Sequence, residues 1–236
     1  MRQAKTFTET LFAELGTIPR KGMALIFAVN VLSGLHAFSL WWTGRDISLA
    51  DLSFFAVEVT FGTVAIFVSA MLLANGRLSI TGFLRFLACF VVGLLPMLIP
   101  AGLLLVAMST GYRGPWVMPL FLFMLAGIPV AALLSAWPLA QALTQSIVSP
   151  LGVLSGTRGH RWMLVGANYA IGAINKFSPD LAAQNTVLEA LLLAALQMAI
   201  GFGSMMLMTA VIVSAWRASG TVGPNAGGPR DGPHAL

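Results

Sequence analysis

The chain reads as an all-α polytopic transmembrane helical bundle with six spans and an N-terminal in-plane amphipathic helix, and three observations carry that expectation. Of its 236 residues 58% are apolar and 9% are charged, whereas a soluble domain carries about a quarter charged residues. With a mean hydropathy of +0.87, a chain this short has too little polar surface to cover a water-soluble globule. Charge-free runs recur at the ~20-residue length that a helix needs to cross a bilayer core. The basic residues fall in alternate connections, as expected when Lys and Arg collect on the cytoplasmic side. The same composition excludes a disordered chain and leaves no room for a separate catalytic domain.

Residues 1–21 precede the first span. Thr6-x-x-Glu9 is a capping-box pattern, and Phe7, Leu11, Phe12, Leu15 and Ile18 follow at near-helical spacing. They predict a helix lying on the cytoplasmic surface and ending near Gly16 and Pro19. Glu9 and Glu14 interrupt the basic stretch that a cleavable leader would need.

The transmembrane domain occupies residues 22–216, with spans at about 23–42, 52–73, 86–108, 116–136, 162–177 and 187–216. The first is uncharged and the second holds only Glu58. The third and fourth carry no charge, and Pro96, Pro100 and Pro129 are expected to kink them or break a local turn of hydrogen bonds. The fifth is short and includes Lys176; the sixth is long enough to tilt and contains Glu189. Residues 217–236 hold five Gly and three Pro with almost nothing apolar, which predicts a disordered cytoplasmic tail. With six alternating spans, ten of the 13 Lys and Arg residues fall inside and only Arg45, Arg113 and Lys176 outside. That asymmetry predicts both termini on the cytoplasmic face of a bacterial inner membrane.

Several chemistries are excluded by inventory. Cys89 is the single cysteine, so there is no intrachain disulfide and no thiolate cluster. No HExxH, phosphate-loop or GxSxG pattern occurs, and His36, His160 and His234 fall at different depths. No metal, no cofactor and no enzymatic activity are expected. The +5 charge is spread between apolar runs and so reads as membrane orientation, not as a nucleic-acid groove.

Ionisable groups inside a span cost at least a few kcal/mol and are therefore the places to look for function. Glu58 heads a stripe with Gly62, Ala65 and Ser69, small residues that let another helix approach. Similar stripes run through Asn30, Ser33, Gly34 and Ala37, and through Ala190, Ala194, Gln197, Gly201 and Ser204. At ~1.5 Å per residue, His36, Glu58 and Glu189 all fall within roughly 10 Å of the external interface. They predict an outer polar layer, joined by Asn175 and Lys176, that serves as an ion or substrate site or lines an outward cavity. The competing reading is that these groups hydrogen-bond across helices and fix packing, with Glu189 reaching to the interface.

A second cluster lies between the fourth and fifth spans. Pro150 and the nearby glycines forbid one uninterrupted helix and predict a short in-plane or re-entrant element. Arg158, His160 and Arg161 then gather at the start of the fifth helix, where a phospholipid headgroup would find both cations and a helix N-terminus. The competing reading is a topogenic positive cluster with Trp162 as interfacial anchor.

Residues 149–164 carry the run Ser-Pro-x-x-x-Leu-x-x-Thr-Arg-Gly-x-x-Trp-x-Leu. This segment resembles the connection between the fourth and fifth helices of the YciC-like and glycerophosphodiester-phosphodiesterase membrane-domain group of bacterial six-helix proteins. The apolar helix ending at Pro138 is similar too. Gly152 stands where the group usually has an acidic residue. The resemblance implies a six-helix inner-membrane protein; no phosphodiesterase domain follows the last span, so that activity is not implied.

The functional expectation is a non-enzymatic integral inner-membrane protein acting through helix and lipid contacts, in membrane homeostasis or as a complex component. Its partners are membrane lipids with anionic headgroups, together with a membrane protein or a second copy. The alternative is a small transporter or permease subunit using Glu58 and His36, and an enzyme acting on lipid comes third.

Overall fold

The computed structural model describes residues 6–44, 49–112, 114–177, 181 and 186–220. Arg2, Lys5, Arg45, Arg113, Arg230 and His234, which entered the charge and histidine counts, lie outside the described residues, as does 221–236 of the expected tail. Every regular element among the described residues is helical.

The first helix, α1 (Phe7–Thr17), carries the capping box that its sequence spells. Thr6 Oγ1 accepts from the Glu9 amide, and the Glu9 carboxylate accepts from the Thr6 amide at 2.8 Å. Ile18 and Pro19 then turn the chain into α2 (Arg20–Thr43). Gly44, in the left-handed region at φ 56°, donates its N–H to the Trp41 carbonyl and ends α2. Next come α3 (Leu49–Leu73) and α4 (Ile80–Ser109), the latter capped by Ser79. Pro96 and Pro100 sit inside α4 without ending it.

The fourth run is longer than its sequence suggested. After α5 (Val117–Leu133) a single turn leads into α6 (Trp137–Leu143), because Trp137-Pro138 starts a new helix where Pro is tolerated instead of closing the old one. The turn beyond α6 is tied by one side chain: Gln141 donates to the Ser146 carbonyl at 2.9 Å and accepts from the Val148 amide at 2.8 Å. Then α7 (Pro150–Gly156) and a 3-10 turn (Arg158–His160) lead to α8 (Arg161–Lys176) and α9 (Val187–Ala218).

Five helical stretches are long and apolar enough to cross a membrane: Arg20–Thr43, Ser53–Leu73, Ile80–Ser109, Val117–Leu143 and Val187–Ala218. The expected fifth span is not among them. At 16 residues, α8 is ~24 Å long against a bilayer core of ~30 Å. It also carries Asn168, Asn175 and Lys176.

Packing fixes how the helices run. Asn30 of α2 faces Gly201 of α9, and Gly34 faces Met198, so these two helices are antiparallel. Gly22 meets Ser69 while His36 meets Asp51, so α2 and α3 are antiparallel too. The start of α2, the end of α3 and the end of α9 therefore share one end of the bundle, here called the base. Arg85 near the start of α4 donates to the Thr144 carbonyl at 2.8 Å, placing the end of α6 at the base as well.

Two buried clusters hold this arrangement. One joins Ile26, Phe67, Met71, Phe86, Leu139 and Ile212 in the half of the bundle next to the base. The other lies under α1, where Phe7 and Leu11 are buried against Val153, Leu164, Val211 and Ala215. The outward surfaces of α4 and α5 expose Leu103, Leu105, Phe121 and Phe123, as a face turned to hydrocarbon does.

Candidate functional site

The expected outer layer is distributed along the helices. His36 is drawn to a partner that the sequence reading placed outside the span: Nε2 lies 3.2 Å from Oδ1 of Asp51, in the first turn of α3. The imidazole also packs on Phe54 with ring centres 4.0 Å apart. Asp51 is buried, so its carboxylate is held where the α2–α3 pair closes. Extending α3 back to Leu49 is what puts Asp51 on a helix and opposite His36.

Glu58 is half-buried and makes no hydrogen bond or ion pair among the described residues. It stands between Phe54, which touches His36 of α2, and Gly62, which faces the Met205 methyl of α9. Its stripe therefore faces the bundle, as the spacing of small residues implied: Ala65 and Ser69 are fully buried on the same face. Glu189 is exposed in the first turn of α9, where Thr186 caps the helix through the Glu189 amide. Seven residues farther along α9 from the level of His36, it is ~10 Å nearer the far end. None of the three groups is bonded to another, and Asn175 is engaged instead with Ser204 of α9, whose hydroxyl donates to its Oδ1 at 2.8 Å.

The basic cluster at the base is better assembled. Arg158 and Arg161 are both exposed. Arg161 donates to the Leu154 carbonyl at 3.0 Å, closing the α7–α8 turn, and Arg158 has no partner among the described residues. His160 is half-buried and stacks on Phe7 of α1, ring centres 5.6 Å apart, so it pins α1 to this turn. Trp162 is 88% exposed beside Arg161, with Leu151 and Ile147 also turned outward. Two exposed guanidinium groups and the exposed side chains of Ile147, Leu151 and Trp162 thus share this end of the bundle.

An unforeseen ion pair lies at the same end. Glu14, buried on the inner face of α1, pairs with Arg217 near the end of α9, and Arg217 also donates to the Leu73 carbonyl at 3.2 Å. Its only sequence signal was an acidic residue on the face of α1 that Phe7 and Leu11 mark as apolar. No group of three or more His, Cys, Asp or Glu able to hold a metal occurs among the described residues.

No family model matches this chain, and no curated protein and no solved structure matches it.

Proposed function

We propose that this is a non-enzymatic integral membrane protein of a bacterial inner membrane, acting through contacts with anionic lipid at its base and with other helices in the bilayer. The observation that carries the reading is the exposed pair Arg158 and Arg161 beside outward-facing Trp162 and Leu151. Each Arg near an anionic surface contributes about 1 kcal/mol, and the apolar neighbours hold the guanidinium groups at headgroup height. His160, turned to Phe7, orders the rim from within.

The proposal includes six crossings with both termini cytoplasmic, and α1 lying in the plane of the base. Docking of α1 on the end of α9 supports an even number of passes, since Glu14 and Arg217 share one end. The sixth pass is the one that α8 begins. Phe12, 65% exposed on the outer side of α1, is the residue that would enter the headgroup layer. The resemblance of residues 149–164 to six-helix inner-membrane proteins points the same way.

Native mass spectrometry of the purified chain in gentle detergent tests this reading. Anionic phospholipid should remain bound, and Arg158→Gln with Arg161→Gln should reduce it several-fold while leaving zwitterionic lipid unchanged. Equal retention by the double variant would remove the proposal. The carboxylate of Glu58, which has no partner among the described residues, favours a second reading, a small transporter, in which Glu58→Gln abolishes proton-coupled uptake by proteoliposomes.

A further inference from the structure

We propose that a cavity between α2, α8 and α9 binds a small neutral group rich in hydroxyls, a polyol, within the membrane-spanning part of the chain. The cavity measures about 220 Å³ and is lined by Asn30, Ser33, Gly34, Asn175, Gln197 and Gly201, with Met198 and Ile200 completing the wall. Its lining carries no formal charge. That composition disfavours an ion and suits a ligand held by hydrogen bonds alone.

The hydrogen-bond inventory shows what the ligand must supply. Asn30 is buried, and its amide donors are already used on the Ile26 carbonyl at 2.8 Å and the Met205 sulfur at 3.2 Å. Its Oδ1 accepts nothing from the described residues. Gln197 lines the cavity, and its Oε1 likewise has no donor; with less than 1 Å² of that oxygen accessible, a ligand meets it only once the amide turns toward the cavity. Two acceptors without donors in a low-dielectric wall are costly unless something donates to them. Ser33 Oγ, Gln197 Nε2 and Asn175 Nδ2 make no bond among the described residues and stand ready to donate back. A hydroxyl both donates and accepts, so a string of hydroxyls answers this set where a cation or an aliphatic group answers only half of it.

Depth and access agree. Asn175 is fixed to Ser204, which lies 14 residues before the end of α9 at Ala218, ~21 Å along its axis. At that level Asn175 and Lys176 are exposed. Amide and ammonium groups are expensive against lipid, so this mouth faces water or a polar partner. Gly201 keeps the floor open: a Cβ there would stand 2.1 Å from Asn30 Oδ1.

The polyol has two sources, a free solute or the glycerol headgroup of a neutral lipid. Saturation-transfer binding on the full chain, in a detergent whose headgroup bears no hydroxyl, separates them with sorbitol as one probe and a short-chain monoacylglycerol as the other. Saturable binding of either supports the proposal, and the probe that binds names the source. Gln197→Met, of similar length, should weaken that binding about five- to tenfold, the value of one lost hydrogen bond. It should also leave the ligand-free protein at least as stable, since it removes an orphan acceptor. Ser33→Ala is the second variant should Gln197→Met fail to fold. Binding of neither probe, unchanged affinity in the folded variants, or stabilisation by sodium chloride over choline chloride with no polyol response would overturn it.

Discussion

His36 and Asp51 meet across the α2–α3 connection, Nε2 to Oδ1 at 3.2 Å, and so close the end of the bundle opposite α1. Asp51 is buried and helical, and the contact fixes the register in which α3 packs on α2. Asp51→Asn should lower stability by about 1 kcal/mol and His36→Ala by at least as much, because the second removes both the His36 contact to a buried carboxylate and the packing of the imidazole on Phe54. Thermal unfolding in detergent measures both; a pair of unchanged melting temperatures would show that the contact is incidental.

Gly127 gives a sharper steric test. A Cβ there would lie 2.5 Å from the Pro96 carbonyl oxygen and 2.7 Å from the Met97 backbone, neither of which can rotate away. Gly127→Ala should therefore separate α4 from α5 and cost about 1–3 kcal/mol. Gly102→Ala is the control, since nothing lies within 4 Å of the added methyl. Equal melting temperatures for the two variants would refute the close approach.

The six-crossing topology is tested by labelling. Cys89 is buried and the only cysteine, so Cys89→Ala gives a blank background. Ile147→Cys, between α6 and α7, should react only from the cytoplasmic side, and Leu188→Cys, at the start of α9, only from the opposite side. Both positions are exposed. Labelling of both from one face would mean that the chain does not cross between α6 and α9.

Arg217→Ala should destabilise more than Glu14→Gln. Removing the guanidinium takes the Arg217 contact from the buried Glu14 carboxylate and the Arg217 donor from the Leu73 carbonyl. The partial exposure of Arg217 tempers the first effect, so about 2 kcal/mol is expected. Protease cleavage within α1 should rise in parallel; an α1 that stays protected would mean that Phe7 and Leu11 suffice.

Much of the helical framework is legible in the sequence, because a charge-free run of ~20 residues has few other fates in a chain with so little polar surface. The run at 23–42 becomes Arg20–Thr43, and 187–216 becomes Val187–Ala218. The run at 116–136 extends to Leu143, because Pro138 lies in the first turn of α6, where its missing N–H costs nothing. Polar partners were less legible. Spacing shows that Glu58 shares a face with Gly62, but whether His36 meets Glu58, Glu189 or Asp51 depends on the axial offset between packed helices, and no local pattern encodes it. The cavity takes three helices at once: the stripes on α2 and α9 and the nearness of Asn175 are legible in the spacing, whereas the bond of Asn175 to Ser204 depends on the axial offset of α8.

The tie between Glu14 and Arg217 spans 203 positions, and this bears on how the molecule is made. The seat for α1 includes Val211 and Ala215, so it does not exist until α9 has left the ribosome and entered the bilayer. Until then α1 lacks part of the surface on which Phe7 and Leu11 are buried, and Glu14 lacks its contact with Arg217. Docking of α1 in its complete seat therefore follows the synthesis of α9, and any change that displaces α9 also unseats α1.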